Sequence, residues 1–122
     1  MITFQHCKNT MGYFSYRSFV AADGSGRIID EIALNPEYFP VYPLIEAMQT
    51  LGHEHCHMWQ YHYGNPLHKT YHNAQWMDKM ESIGLMPSST GRPGGAKVGQ
   101  KINDLSIPSG RFQGITVELF QR

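Results

Sequence analysis

His53, Glu54 and His57 are the residues of this 122-residue chain whose types and spacing best suit chemistry. On a helix, positions four apart lie about 40° apart around the axis and about 6 Å apart along it, so the two imidazoles can close on one metal ion. Glu54 stands one step round from His53, near enough to reach a water on that metal without being a ligand. Zinc lowers the pKa of such a water to about 7, and a carboxylate beside it can take the proton as attack on a carbonyl begins. The expected roles are ligand, base and ligand, in the spacing H-E-x-x-H.

Histidine is abundant, with seven in all and five between positions 53 and 68, so spacing has to choose among them. His55 lies about 200° from both His53 and His57 on a helix and is expected on another face, hydrogen-bonded or half-exposed. Cys56, about 100° from His57, is expected to be a small buried filler rather than a ligand. A catalytic zinc site needs three protein ligands and an open position. The metzincin extension would put glycine at 60 and histidine at 63, where Gln60 and Tyr63 stand. A thermolysin-like glutamate would fall near Met77 and Asp78. His72 fits better. The first helix must carry the chain roughly 9 Å past the metal before Gly64-Asn65-Pro66 turns it, and the six residues from Pro66 to His72 can span up to about 20 Å. His68, two residues past the proline, recovers only about 7 Å and is the lesser alternative.

A chain of this length makes one domain with a modest core. Its 41% apolar content, twelve glycines and seven prolines describe a compact, loop-containing protein. The start MITFQHCKNT lacks a signal peptide's apolar stretch and no run of eighteen apolar residues occurs, so the expected address is cytoplasmic with no membrane partner. Two cysteines, Cys7 and Cys56, make no disulfide framework. Net charge is zero, which offers no overall case for nucleic acid. Its distribution is uneven: residues 20–60 hold six acids against Arg27 alone, and residues 85–122 hold five bases against Asp104 and Glu118.

Alternation predicts strands near residues 2–7, 13–21 and 27–34, forming a three-stranded antiparallel sheet, one edge of which would suit an extended substrate peptide. The main helix is expected to begin near Pro43, with Leu44, Met48, Leu51, His55, Met58 and His62 as its core stripe. A second helix is expected over Tyr71–Ile83, with His72, Trp76, Met80 and Ile83 in line and Gly84 as a left-handed cap. Residues 88–99 are a turn-rich loop that suits a lid over a metal cleft but lacks the G-K-[S/T] ending of a phosphate loop. Arg111–Phe120 is expected to be a closing strand. Tyr71, His68 and Arg111 are candidates for an oxyanion helper.

In order along the chain, YFS at 13–15, DEIALNPEYF at 30–39, GHEHCHMWQ at 52–60, YHNAQWMDKM at 71–80 and IGLMPSSTGRPGGAKVGQ at 83–100 resemble the SprT-like zinc metallopeptidases of the SprT/Spartan type, phage and plasmid versions above all. The resemblance implies an α+β, zincin-like fold in which a small antiparallel sheet packs on the H-E-x-x-H helix and on a second, antiparallel helix. It implies one metallopeptidase domain over residues 1–122, Zn2+ on His53, His57 and His72, and Glu54 as catalytic base. The implied activity is zinc-dependent endopeptidase cleavage of DNA-bound or DNA-crosslinked proteins, with a protein or peptide as substrate; apart from the resemblance, the basic residues of the 88–101 loop could touch DNA, against the plainer reading of a solvated loop. Relatives commonly carry glycine after the third histidine, where this chain has Asn73, and a helical segment before the first strand, which this chain is expected to lack. The alternative, from another class, is a non-catalytic phage or plasmid protein whose metal holds the fold, closed by Cys56 or His68, and whose 88–101 loop binds DNA or a host factor.

Overall fold

A computed structural model describes residues 1–40, 43–67 and 71–120. The architecture is α+β, with two small sheets and three α-helices among the described residues. The chain divides into two compact units, Met1–Met58 and Trp59–Arg122. No helix among the described residues is long and apolar enough to cross a membrane.

The first unit holds a three-stranded sheet of β1 (Ile2–Phe4), β2 (Gly12–Val20) and β3 (Ile28–Leu34), in the order β1-β3-β2. The all-antiparallel expectation is corrected here: β2 pairs antiparallel with β3, but β1 pairs parallel to it. The pattern of β3 accounts for its place between the other two strands. Glu31, Ile32, Ala33 and Leu34 are all buried, the continuous burial of a central strand and not the alternation of an edge. Phe4 and Gly12 both register with Leu34, so the connector between β1 and β2 must pass round the end of β3. Asn35, the next residue and only 2% exposed, fastens that connector. Its amide Nδ2 donates to the carbonyls of Cys7 and Thr10, each at 2.9 Å. Its Oδ1 accepts from the Glu37 N–H at 3.1 Å and caps the short 3-10 turn Pro36–Tyr38.

The β2–β3 turn is made by Asp23 to Gly26. Asp23 accepts from the Ser25 N–H at 3.0 Å, and the Ser25 hydroxyl and then this N–H hold the Asp23 carboxyl below its ordinary range. The β2–β3 pairing is interrupted between Ser15 and Phe19, where Arg17 takes a φ of 54° and its N–H donates to Asp30 Oδ1 at 2.9 Å. The long helix α1 (Leu44–Tyr63) starts just after Pro43 with Glu46 in its first turn, as its composition predicts. A Cβ at Gly12 would lie 2.8 Å from both the Ala33 carbonyl oxygen and Thr50 Cγ2, so glycine lets α1 come down on the sheet.

In the second unit, α2 (Ala74–Ser82) ends at Gly84, which has a φ of 96°, and Leu85 opens strand β4 (Leu85–Ser88). Trp76, Met80 and Leu85 are fully buried and form the core of this unit. β4 pairs antiparallel with β5 (Asn103–Ser106), a sheet that composition did not announce: β5 reads NDLS and β4 carries Pro87. In a two-stranded ribbon both strands are edges, which is where proline is tolerated. The expected closing strand over Arg111–Phe120 is corrected to a helix, α3. Its isoleucine, threonine and valine favour a strand, but Phe112 and the buried Thr116 stand four apart, and Gln113 Oε1 reaches back to accept from the Ser109 N–H at 2.8 Å.

Asn35 generates a test. Asn35→Ala removes both donors to the connector and the cap acceptor, and should lower unfolding free energy by about 2–3 kcal/mol in urea denaturation. Asn35→Asp keeps the cap acceptor but faces the two carbonyls with oxygen, so it should be no more stable than the alanine variant. An aspartate variant of wild-type stability would contradict this account.

Candidate metal centre

Residues 53 to 60 run from the middle of α1 into its second half, and burial along this stretch reverses the expected face. Taking Glu54 as zero and about 100° per residue, Cys56, Gln60, His53, His57 and Glu54 fill an arc of about 160°. Cys56, Glu54 and Gln60 are buried, and His53 and His57 are half-buried. The expected core stripe lies on roughly the opposite side, where Leu44, His55 and His62 are exposed. His55 is turned to solvent with its Nδ1 against the Leu51 carbonyl at 2.9 Å.

His53 and His57 face each other one turn apart, with their Nε2 atoms 3.3 Å apart and their ring centroids 5.0 Å apart. Two geometries fit such a contact: one ring donates to the other, or both lone pairs point at a shared cation. Two nitrogens about 2.05 Å from a tetrahedral zinc would stand about 3.3 Å from each other, so the observed spacing suits a shared ion as well as a ring-to-ring hydrogen bond. One ligand nitrogen from each of His53, His57 and His72 lies within 4.8 Å of the others, a group able to hold a metal ion. Cys56 is not among the grouped donors, and His68 lies outside the described residues. Glu54, 8% exposed, follows His53 on α1.

His72 is not carried by a helix. The expected start of α2 at Tyr71 is corrected to Ala74, because Asn73 is its N-cap: with φ −90° and ψ 179° it is extended, and its Oδ1 accepts from the Trp76 N–H at 3.0 Å. His72, 6% exposed, instead forms an isolated antiparallel bridge with Gly99. Each backbone N–H donates to the other residue's carbonyl at 2.9 Å. The His72 ring adds a third bond, from Nδ1 to the Gly99 carbonyl at 2.8 Å, and Trp76 packs edge-on against it with centroids 4.5 Å apart.

The turn before His72 is set by amide side chains. Gln60, 1% exposed, donates from Nε2 to Asn73 Oδ1 at 2.6 Å and to Gln75 Oε1 at 3.0 Å. Gln75 Oε1 also accepts from the Asn65 N–H at 2.7 Å, and Asn73 Nδ2 donates to the Asn65 carbonyl at 3.3 Å. Gln60 thereby uses both amide hydrogens, and each of the two oxygens it meets takes a second donor, so burial of these groups is compensated. Asn73 caps α2 and anchors this turn together, roles that a glycine there would not fill.

The loop after β4, expected as a lid, is fastened. Ser89 N–H donates to the Ala96 carbonyl at 2.8 Å, Ala96 N–H to Ser89 Oγ at 3.0 Å, and the buried Ser88 hydroxyl to the Arg92 carbonyl at 2.6 Å. Of its basic residues, Lys97 is paired with Glu81 at 2.7 Å, while Arg92 and Lys101 are exposed. Among the proposed oxyanion helpers, Tyr71 is half-buried just before His72 and Arg111 is exposed at the start of α3. Sequence reasoning missed Gly99 and Gln60. Gly99 carries no signal of its own in a glycine-rich loop, whereas Gln60 stood out only as the residue that breaks the metzincin pattern.

Compared with known proteins, the chain matches the model of the SprT-like family over residues 1–96. Neither curated proteins nor solved structures return a match.

A ligand that binds only the folded chain stabilises it by RT ln(1 + [L]/Kd), about 2.7 kcal/mol at a hundredfold excess over Kd. Zinc should therefore raise the calorimetric unfolding temperature of the wild-type chain and leave that of His57→Ala unmoved. A variant that keeps the full zinc response would mean the metal binds elsewhere.

Proposed function

Because the chain belongs to the SprT-like family, whose activity is of the metalloprotease type, we propose that it is a zinc-dependent endopeptidase with His53, His57 and His72 as metal ligands and Glu54 as catalytic base. The observation that carries this reading is the 3.3 Å approach of two imidazole nitrogens one helical turn apart, in a group that includes His72. Three neutral nitrogen donors suit zinc, and a three-ligand set is the catalytic type. In this reading the long helix and the turn to His72 are arranged as in zincins.

Bound zinc would supply Lewis acidity, making a water acidic near neutral pH and polarising a peptide carbonyl. The rest falls to the chain. His53 and His57 turn their Nε2 atoms toward each other from one helix face, and His72, with its Nδ1 engaged by the Gly99 carbonyl, would offer Nε2 to the metal. The Glu54 carboxylate, one position round from His53 and largely shielded from solvent, takes the proton of the attacking water and passes it to the departing amine. Substrates are proteins or peptides, with DNA-bound or DNA-crosslinked proteins the class that the family resemblance favours. Any DNA contact made by the 88–101 loop would run through Arg92 and Lys101, since Lys97 is committed to Glu81.

The experiment pairs elemental analysis with digestion of a DNA-bound protein, with and without chelator. Glu54→Gln should retain the wild-type metal content and lose about 10²–10⁴-fold in cleavage rate. Chelation should abolish wild-type cleavage, and zinc should restore it. Metal-dependent proteolysis that survives Glu54→Gln would contradict the assigned base.

A further inference from the structure

We infer that Gly99, which lies beyond residues 1–96 matched by the family model, is a positioning residue for metal capture: its carbonyl fixes both the direction and the tautomer of the His72 ring. The inference rests on His72 being a ligand and adds how the chain makes it one. A histidine on a helix is aimed by its backbone and neighbours, but His72 sits in an extended stretch where its ring would otherwise turn about its side-chain bonds. Here one carbonyl oxygen accepts twice from the same residue, from the backbone N–H at 2.9 Å and from ring Nδ1 at 2.8 Å. A carbonyl can only accept, so Nδ1 carries a proton, and in the neutral ring Nε2 then holds the lone pair that a metal needs. The returning bond, Gly99 N–H to the His72 carbonyl at 2.9 Å, keeps that oxygen in register with the ring. Trp76, edge-on at 4.5 Å, limits rotation on another side.

Glycine is required at 99 for a conformational reason. Its φ is 144°, a value L side chains rarely adopt, yet the nearest atom to an added Cβ is Ile102 Cδ1 at 3.9 Å. Gly99→Ala therefore perturbs the backbone carrying the carbonyl without a steric clash. Gly94 offers a matched control in the same loop, with a φ of 90° and nothing within 4 Å of an added Cβ.

Zinc affinity of the full chain, measured by competition with a chromophoric chelator, should fall about 10–100-fold in Gly99→Ala and stay at the wild-type value in Gly94→Ala. The visible absorption of the Co2+-loaded chain should change in the first variant only. Long-range 1H–15N NMR of the wild-type, metal-free chain gives a readout that depends on no variant: the neutral His72 ring should be protonated at Nδ1. A ring protonated at Nε2, unchanged affinity in Gly99→Ala, or an equal loss in Gly94→Ala would each overturn the inference. A wild-type chain that binds no zinc would instead sink the reading of His72 as a ligand, while the NMR result would still test the tautomer.

Discussion

A metal ion held by imidazoles needs an unprotonated nitrogen turned toward it from each ring, and the three histidines able to hold one are placed here by two different devices. Helical spacing serves His53 and His57, because residues four apart on α1 bring their Nε2 atoms to 3.3 Å. His72 has no such help. It lies outside any helix, and three hydrogen bonds to one glycine replace the periodicity that the other two rings enjoy. The second device costs more chain, since it needs a loop from β4 that returns to pair with the residue, and the internal bonds of that loop serve this return.

The same requirement explains why the second half of α1 buries polar groups. A helix whose inner arc holds two histidines, a glutamate and a glutamine gives up apolar burial on that side, and each shielded polar group needs a partner. Gln60 shows how the cost is offset: both of its amide hydrogens are used, and its partners are the residues that cap α2 and fix the turn. Stability of the second unit then rests on Trp76, Met80 and Leu85, fully buried on α2 and β4 rather than on α1.

Legibility in the sequence followed the range of the interaction. Local spacing revealed α1, the β2–β3 turn and the cap at Gly84, because each depends on residues within a few positions. Reach along the chain pointed to His72, which stands in the group of three histidines, while His68 lies outside the described residues. The inner face of α1 was misjudged since an apolar stripe exists, with Met48, Leu51 and Met58 at helical spacing, and only the positions of the polar residues show which side is enclosed. The direction of β1 depended on Asn35, whose two bonds to Cys7 and Thr10 span more than twenty residues. The β4–β5 pair and α3 were hidden for opposite reasons: NDLS has too little strand character, and the run from Ile115 to Val117 has too much.

The hold on His72 is built from neutral groups: three glutamine and asparagine amides, a glycine peptide and an indole ring. Neutral hydrogen bonds are not screened by dissolved ions, whereas any attraction between Arg92 or Lys101 and a phosphate backbone is, and the Lys97–Glu81 pair is weakened as well. The second unit thus carries ionic-strength-sensitive side chains and an ionic-strength-indifferent ring support on one loop. A rise in salt would therefore loosen the Lys97–Glu81 pair and leave the bonds between His72 and Gly99 in place.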